Sequence, residues 1–277
     1  MIKYCFSLLL LSLLIFSCKS VPLYLDTNAP VWKSTSTIKS PTKEKIKVLC
    51  YNIKFSLDVP TAIKELQTIE SLQDADIILL QEMNEDGTKL MAETLGYNYV
   101  YYPIVYYTKH KRNFGNAVLS KWPILEDEKI VFPHKTLGNG TRRAATSTVI
   151  QIGDKKLRAI SAHLATIALP RNQKIDQIDS LLRYNTRDEH AYQIVGGDYN
   201  TLTGEEADYV IKNYQKNDFL WTTKDVGNTG EYLSGFLKPW NDHIFSRGFK
   251  VVDSGKEDGI TASDHYPLWV ELVFEDN

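Results

Sequence analysis

The strongest constraint on this chain is a set of short apolar runs that each end in an acid, an amide or an imidazole. Residues 77–80 are entirely apolar and stop at Gln81-Glu82, and residues 192–195 lead into Gly196-Gly197-Asp198-Tyr199-Asn200. Short apolar runs that end in turn residues indicate strands leaving a sheet. Since α/β proteins place their chemistry at strand ends, these polar side chains are expected at one edge of a sheet.

Amphipathic stretches separate the apolar runs, which is the crossover pattern of an α/β fold. Helices are predicted over residues 60–72, 86–95, 170–184 and 205–214. Strands are predicted over residues 46–53, 76–82, 97–107, 114–124, 144–152, 157–163, 192–195, 240–246 and 268–274. Residues 221–237 are predicted to form a long loop. Because no Pro/Gly/Ser-rich break divides this region, a single domain is predicted over residues 45–277.

The first 44 residues differ from the rest in composition. Residues 1–17 are predicted to be a signal peptide, because Lys3 precedes an apolar run with the length of a signal-peptide core. The alternative is a buried helix at the N-terminus. Ile15-Phe16-Ser17-Cys18 resembles a bacterial lipobox, whose cysteine becomes the lipidated first residue of the mature chain. Residues 18–44 are therefore predicted to be the lipidated Cys18 and a flexible tether. The protein is expected to be exported and lipid-anchored to the bacterial cell envelope.

Cysteine content and charge agree with an exported protein that is not a general nucleic-acid binder. Cys5 would be removed with the signal peptide, and Cys50 is predicted to be a small core residue, so no disulfide is expected within the mature chain. Removing Lys3 changes the formal net charge from -2 to -3. The cluster Lys109-His110-Lys111-Arg112 beside Tyr106 and Tyr107 is interpreted as a solvated loop, with a substrate groove as the alternative.

Each polar strand end has an ordinary structural explanation when taken singly. Asn52 and Glu82 end neighbouring parallel strands, so they are expected to lie close together as an oxygen-rich pair that suits Mg²⁺. Alone, Asn52 is typical of a turn, and Glu82 of a solvated strand end. Gly-Gly-Asp is also an ordinary turn composition, and a lone His163 would be a structural residue. Their repetition at successive strand ends favours a common site.

The ordered set of these motifs resembles the endonuclease/exonuclease/phosphatase superfamily, the DNase I-like phosphoesterases. The blocks that carry the resemblance span residues 51–267: Tyr51-Asn52, Leu80-Gln81-Glu82, Gly115-Asn116-Ala117-Val118-Leu119-Ser120, Ser161-Ala162-His163-Leu164, Gly197-Asp198-Tyr199-Asn200, Asp242-His243-Ile244-Phe245 and Ser263-Asp264-His265-Tyr266-Pro267. The resemblance implies a four-layer α/β sandwich of two packed mixed β-sheets with the site at one rim. It also implies hydrolysis of a phosphate ester that depends on Mg²⁺ or Mn²⁺.

The matching positions imply a role for each residue. The implied metal ligands are Glu82, Asn52 and Asp264. Asp198 is implied to orient and deprotonate the attacking water, and the other implied catalytic residues are Asn200, His163, His265 and Asp242. Substrate binding is assigned to Asn116, Arg142 and Arg143. In-line attack of water on an anionic ester needs a metal and donors that neutralise charge, with one carboxylate left free as a base.

The expected substrate is a small or lipid-linked phosphate ester, either diester or monoester. Thr141-Arg142-Arg143-Ala144-Ala145 resembles the corresponding segment of bacterial metal-dependent hydrolases of the superfamily, some of them secreted or lipid-anchored. The neutral sphingomyelinases share the His163 block. A monomeric enzyme is expected. The alternatives are a secreted nuclease, which the acidic net charge disfavours, and a catalytically inactive, surface-anchored binding module.

Overall fold

Two mixed β-sheets pack face to face. The structure is a computed structural model that describes residues 21–35, 41, 43–137, 140–166, 168–231 and 239–275. The first sheet has seven strands, given in their order across the sheet: β1 (Trp32–Ser34), β4 (Asn98–Tyr107), β5 (Arg112–Ser120), β3 (Ile77–Met83), β2 (Lys45–Asn52), β13 (Leu268–Phe274) and β12 (Phe249–Lys256). The second sheet has six: β10 (Leu220–Trp221), β11 (Asp242–Arg247), β9 (Tyr192–Asp198), β8 (Lys155–His163), β7 (Ala144–Ile152) and β6 (Ile124–Val131).

Helices cover the outer faces of both sheets. The α-helices within the described ranges are α1 (Val59–Thr68), α2 (Glu85–Leu95), α3 (Arg171–Arg187) and α4 (Gly204–Gln215). Leu66 of α1 packs in the same core as Leu80 of the first sheet. Leu181 of α3 packs likewise with Val195 of the second sheet. The predicted four-layer α/β sandwich of two packed mixed β-sheets is therefore confirmed.

Alternation of side chains along the strands builds separate cores on the two faces of each sheet. In β2, Ile46 and Val48 belong to the core between the sheets, whereas Leu49 and Tyr51 belong to the core under α1 and α2. The strands β2 and β3 pair in parallel, as do β8 and β9. Each pair is joined through a helix, so the carboxyl ends of its two strands lie side by side.

Gly196 and Gly197 are required by close packing at the end of β9. A Cβ atom on Gly196 would lie 2.7 Å from Leu79 Cδ1 of the facing sheet, and one on Gly197 would lie 1.9 Å from the Ala162 carbonyl oxygen of β8. Side chains at these positions would force the backbone away from both neighbours. The two glycines therefore bring β9 against the first sheet and against β8 immediately before Asp198.

Some predicted boundaries are wrong. The strand predicted over residues 114–124 is interrupted, because the Trp122 N–H donates to Ser120 Oγ (3.0 Å) and Pro123 has no N–H to continue a ladder. α1 ends at Thr68, before the predicted end at residue 72, and α3 continues to Arg187. β12 and β10 were not predicted, because β12 is interspersed with polar residues and β10 has only two residues.

Residues 21–34 pack along the edge of the first sheet, so they do not form the flexible tether predicted for this part of the chain. β1 pairs antiparallel with β4, and Leu23 pairs with Val105 in an isolated bridge. Residues 1–20, with the predicted signal peptide and Cys18, lie outside the described residues. Among the helices that the structure describes, none has both the length and the apolar character needed to cross a membrane.

A buried lysine holds this N-terminal segment in place. Lys129 Nζ on β6 donates hydrogen bonds to the carbonyl oxygens of Tyr24 (2.8 Å) and Ala29 (3.1 Å) in the segment and of Pro103 (3.3 Å) in β4. Burial lowers the pKa of Lys129 to about 8. One ammonium group thus joins the segment, the first sheet and the second sheet.

Replacing this lysine is expected to destabilise the domain. Lys129→Met should lower the free energy of unfolding by about 1–3 kcal/mol, because it leaves buried carbonyl oxygens without donors. Urea denaturation measures the change, with Lys156→Met at an exposed position of β8 as the matched control. Equal stability of the two variants would contradict a structural role for Lys129.

Candidate active site

A cleft opens at the end of the sandwich where β3, β8 and β9 terminate. Its volume is about 360 Å³, and its walls include seven of the predicted site residues: Glu82, Arg143, His163, Asp198, Asn200, Asp264 and His265. His163 and Asp198 are register partners on β8 and β9, and Asp242 on β11 is the register partner of Asp198. Register partners on adjacent strands lie about 5 Å apart on the same side of the sheet. Strand pairing therefore places these three side chains in a row.

Glu82 lies where β3 bulges at its end. Its backbone is left-handed (φ 59°), and the pairing of β3 with β5 shifts register between Leu80 and Met83. Left-handed residues other than glycine are strained and cluster at functional sites. Glu82 Oε2 accepts a hydrogen bond from the Phe55 N–H (2.9 Å), and the Asn52 side chain also donates to this carboxylate. The predicted proximity of Asn52 and Glu82 is confirmed.

Asp198 is held by hydrogen bonds at both carboxylate oxygens. Its Oδ2 atom accepts from Asn52 Nδ2 (3.1 Å), and its Oδ1 atom accepts from the Asn200 N–H (2.8 Å). The Nε2 atom of His163 lies 3.4 Å from Oδ2. Asn52, at the end of β2, thus links the Glu82 carboxylate of the first sheet to the Asp198 carboxylate of the second sheet. The orientation of Asp198 is fixed before any ligand binds.

The surroundings of Asp198 keep it weakly acidic. Burial raises the pKa of Asp198 to about 7, the carboxylates of Asp242 and Glu82 also raise it, and His265 opposes them. A carboxyl group with a pKa near neutrality can accept a proton efficiently at neutral pH. The side chain therefore has the acid–base character expected of a general base.

Asp242 orients His265. The Asp242 Oδ2 atom accepts hydrogen bonds from His265 Nδ1 (2.9 Å) and from Thr229 Oγ1 (2.8 Å). Burial alone would lower the pKa of His265, but the carboxylates of Asp242 and Asp198 raise it to about 10. His265 is therefore an imidazolium at neutral pH, and its Nε2 atom lies 3.8 Å from Asp198 Oδ2.

His163 differs from His265 in charge. Burial lowers the pKa of His163 well below its usual value, and the positive charges of Arg143 and His265 add to this effect. The His163 ring packs against Phe114, with 5.5 Å between ring centroids. The resemblance implied a pair of histidines. In the structure His265 contributes a positive charge, and His163 contributes a neutral imidazole.

Arg143 is a buried cation with unused donors. Its Nε and Nη1 atoms have no hydrogen-bond partner among the described residues, and its guanidinium lies over the Phe114 ring at 5.1 Å. Leaving buried donors unsatisfied is costly, and the planar fork of a guanidinium matches the oxygens of a phosphate. The position of Arg143 in the cleft wall suits the substrate-binding role predicted for it.

The other two residues predicted to bind substrate do not line the cleft. Asn116 is buried, and its Nδ2 atom donates to the carbonyl oxygen of Ala144 (2.6 Å), the residue after Arg143. Arg142 Nη1 donates to a backbone carbonyl oxygen (3.3 Å). The structure therefore does not bring Asn116 and Arg142 to the predicted substrate position. Asn116 instead fixes the backbone beside Arg143.

α3 supports the cleft from behind. Lys174 Nζ donates to the carbonyl oxygen of Asn200 (3.0 Å) and to Glu206 Oε1 of α4 (2.9 Å). Gln177 Oε1 accepts from the N–H of Ala165 (3.0 Å), in the loop after β8. Asn200 is itself left-handed (φ 52°), so its loop needs such support. Sequence reasoning missed Lys174 and Gln177, because polar residues in an amphipathic helix carry no distinguishing signal.

Sequence reasoning also missed the tight turn after β2. Lys54, Phe55 and Ser56 have φ values of 36°, 56° and 51°. None of these three residues is a glycine or asparagine, which would indicate a left-handed turn, so the turn could not be predicted from the sequence. Lys54 and Phe55 line the cleft, together with further residues that were not predicted: Thr166, Leu202 and Asn241.

The donor atoms fit a divalent cation that prefers oxygen ligands. Carboxylate oxygens of Glu82 and Asp198 and a ring nitrogen of His163 lie within 4.8 Å of one another, and the Asn52 side chain contacts both carboxylates. Burial raises the pKa of Glu82, which shows that its charge is incompletely compensated. Asp264, which lines the cleft, pairs with Lys54 Nζ at 3.2 Å. Carboxylate and amide oxygens are the ligands that Mg²⁺ and Mn²⁺ prefer.

The chain belongs to the Endonuclease/Exonuclease/phosphatase family, which residues 49–265 match. No curated protein sequence matches it significantly. A family protein from Leptotrichia buccalis is 22% identical with a TM-score of 0.66, and covers 83% of this chain and 100% of its own. A family protein from Bacteroides vulgatus is 14% identical with a TM-score of 0.67. The match covers 84% of this chain and 100% of the Bacteroides chain. D. rerio TDP2 complexed with single strand DNA product is 16% identical with a TM-score of 0.63. The match covers 83% of this chain and 99% of the TDP2 chain.

Removing the Asp242 carboxylate tests the electrostatics of the cleft. Asp242→Asn should lower the pKa of His265 by at least about one unit, because the charge that stabilises the imidazolium is lost. NMR titration of the ring resonances measures this pKa. Asp208→Asn, at an exposed position of α4, is the control and should leave His265 unchanged. A pKa of His265 that stays near 10 in Asp242→Asn would contradict the assignment.

Proposed function

We propose that this chain is a Mg²⁺- or Mn²⁺-dependent phosphoesterase that hydrolyses a small or lipid-linked phosphate ester, diester or monoester, by in-line attack of water. The observation that carries the proposal is a buried cleft in which the Arg143 donors and the His265 imidazolium lie beside Glu82 and Asp198. An anionic ester needs cationic donors, and its metal needs carboxylates. Members of the family are typically hydrolases that act on phosphate esters.

Asp198 is the proposed general base. Asn52 and the backbone of Asn200 hold its oxygens, so a water in the cleft would meet a carboxylate of fixed orientation. Its pKa of about 7 lets it accept a proton from that water near neutral pH. Asn200 lines the cleft, and we assign it the orientation of the same water.

Arg143, His265 and His163 are the proposed phosphate ligands. Hydrolysis builds negative charge on the phosphoryl oxygens, and donors that are fixed in advance stabilise it without rearrangement. Asp242 keeps His265 protonated, and the neutral His163 supplies a hydrogen bond. Glu82, Asn52 and Asp264 would hold the divalent cation. When bound, this cation would neutralise charge on the ester and polarise its phosphoryl oxygen.

Export and anchoring are part of the same proposal. The lipobox-like sequence ending at Cys18 supports an exported enzyme held at the bacterial cell envelope by a lipid. An anchored enzyme meets substrates near the membrane at high local concentration. This location supports a lipid-linked phosphate ester over a freely diffusing polymer.

A DNA phosphodiester is the second candidate substrate. It is supported by the similar fold of D. rerio TDP2, whose structure holds a single-strand DNA product. The net negative charge of the chain supports the smaller esters instead, because binding along a phosphate backbone depends on many cationic contacts. Parallel assays on a lipid phosphodiester and on single-stranded DNA separate the two.

Substitution of the two cleft carboxylates tests the proposed chemistry. Asp198→Asn and Glu82→Gln should each reduce kcat on a soluble aryl phosphodiester by about 10²–10⁴-fold, because one loses the base and the other a metal ligand. EDTA should abolish the parent activity, and added Mg²⁺ or Mn²⁺ should restore it. Glu126→Gln, at an exposed position of β6, should retain full activity.

Two outcomes would contradict the proposal. Undiminished hydrolysis by both Asp198→Asn and Glu82→Gln would remove the catalytic assignment. A folded parent chain that is inert toward diesters and monoesters with every divalent metal would instead favour the surface-anchored binding module.

A further inference from the structure

Four loops contain, contact or adjoin residues that line the cleft or the loop after β8, and we call them the rim: residues 54–57, 108–111, 134–137 and 239–240. The first includes Lys54 and Phe55, which line the cleft. The second contacts it through His110, whose ring packs at a tilt against Phe55 with 4.6 Å between centroids. The third is bonded to the loop after β8, and the fourth immediately precedes the cleft-lining Asn241. Each rim loop is therefore close to the cleft in the fold.

Three rim loops expose a large apolar side chain. The exposed fractions are 51% for Leu57, 70% for Leu137 and 42% for Trp240. The Leu137 N–H donates to the carbonyl oxygen of Ala168, so this leucine is fixed to the loop that follows His163. Single exposed apolar residues are common on soluble proteins. Leucines and a tryptophan on loops around one opening form a pattern that suits the interface of a lipid bilayer.

The rim also carries exposed positive charge. Lys109, Lys111 and Lys135 are exposed on these loops. Acids near the rim have partners: Asp264 pairs with Lys54, Asp176 contacts His134, and the Asp58 carboxylate caps the N-terminus of α1. Exposed lysines beside apolar side chains are attracted to anionic headgroups.

The N-terminal segment leaves the domain at the same end. Residues 32–34 pair with β4 at Tyr101 to Tyr99, whereas Leu23 pairs with Val105 farther along that strand. Val21 packs in a cluster that includes Phe55 of the rim. From residue 34 back to residue 21, the chain therefore approaches the cleft end of the sheet. Three residues span at most about 10 Å, so a lipid on Cys18 would enter the membrane near the rim.

We propose that the rim is a membrane-contact surface that seats on an anionic lipid bilayer, with the mouth of the cleft turned toward the headgroups. The substrate is then a phosphate ester presented at that lipid surface. This inference rests on the proposed phosphoesterase function for its substrate, whereas the contact itself needs no catalysis. The apolar side chains insert among the lipids, the lysines meet anionic headgroups, and the lipid on Cys18 sets the same orientation.

Vesicle binding tests the surface directly. The chain from residue 18, with Cys18→Ser to remove the lipid, should sediment with vesicles of phosphatidylcholine and phosphatidylglycerol. A triple variant, Leu57→Ser, Leu137→Ser and Trp240→Ser, should bind them about tenfold more weakly or worse. The control changes three exposed apolar residues outside the rim, Leu90→Ser, Leu125→Ser and Val252→Ser, and should bind like the parent.

The lysines are tested in the same assay. Lys109→Ser with Lys111→Ser should weaken binding to vesicles containing phosphatidylglycerol about tenfold, and should have little effect on pure phosphatidylcholine vesicles. The control pair, Lys156→Ser with Lys250→Ser, should leave binding unchanged. Failure of the parent chain to sediment, or equal sedimentation of the rim and control triple variants, would overturn the proposal.

Hydrolysis of a soluble aryl phosphodiester is measured on the same preparations. The rim triple variant should hydrolyse it at the parent rate, because its changes lie outside the cleft. Activity without vesicle binding would refute the proposed membrane-contact surface and would agree with the proposed phosphoesterase function. Vesicle binding without activity would refute the proposed phosphoesterase function and would agree with the proposed membrane-contact surface. The two failures are therefore distinguishable.

Discussion

The rest of the site depends on the burial of like charges at one end of the sandwich. Glu82, Asp198 and Asp242 are drawn together by strand ends, and each is largely removed from water. Carboxylates in such a place resist ionisation unless cations compensate them, and burial raises the pKa of Glu82 and of Asp198. His265 and Arg143 are the cationic groups that oppose them in the cleft. The balance remains negative, which is the electrostatic condition for holding a divalent cation.

Backbone geometry keeps these charges in place against their repulsion. Gly196 and Gly197 allow β9 to approach its neighbours, and the left-handed residues Glu82 and Asn200 turn the strand ends into the cleft. α3 fixes the loop at Asn200 through Lys174. The same end of the sandwich carries the rim and receives the N-terminal segment. The proposed catalysis, the proposed lipid anchor and the proposed membrane contact therefore concern one face of the molecule.

Sequence patterns predicted the fold and most of the cleft, because apolar runs that end in polar residues are local signals. The parallel register of β2 with β3 placed Asn52 beside Glu82, as expected. The packing of the N-terminal segment was not predicted, because the Ser, Thr, Lys and Pro content of residues 19–44 outweighed the apolar residues within 21–34. The contact from Lys129 comes from a distant strand and leaves no local signal. The opposite pKa shifts of His163 and His265 were also not predictable, since they depend on burial and on the charges of Arg143 and Asp242 across the fold. Long-range contacts, rather than local propensity, account for these differences.

The most direct test is whether a divalent cation stabilises the folded chain. Mg²⁺ at about a hundred times its Kd should stabilise the native state by about 2.7 kcal/mol, seen as a higher Tm in calorimetry. Glu82→Gln should lose most of this increase, and Glu126→Gln should keep it. A Tm that does not change with Mg²⁺ or Mn²⁺, or an equal increase in Glu82→Gln, would contradict a metal centre at this cleft.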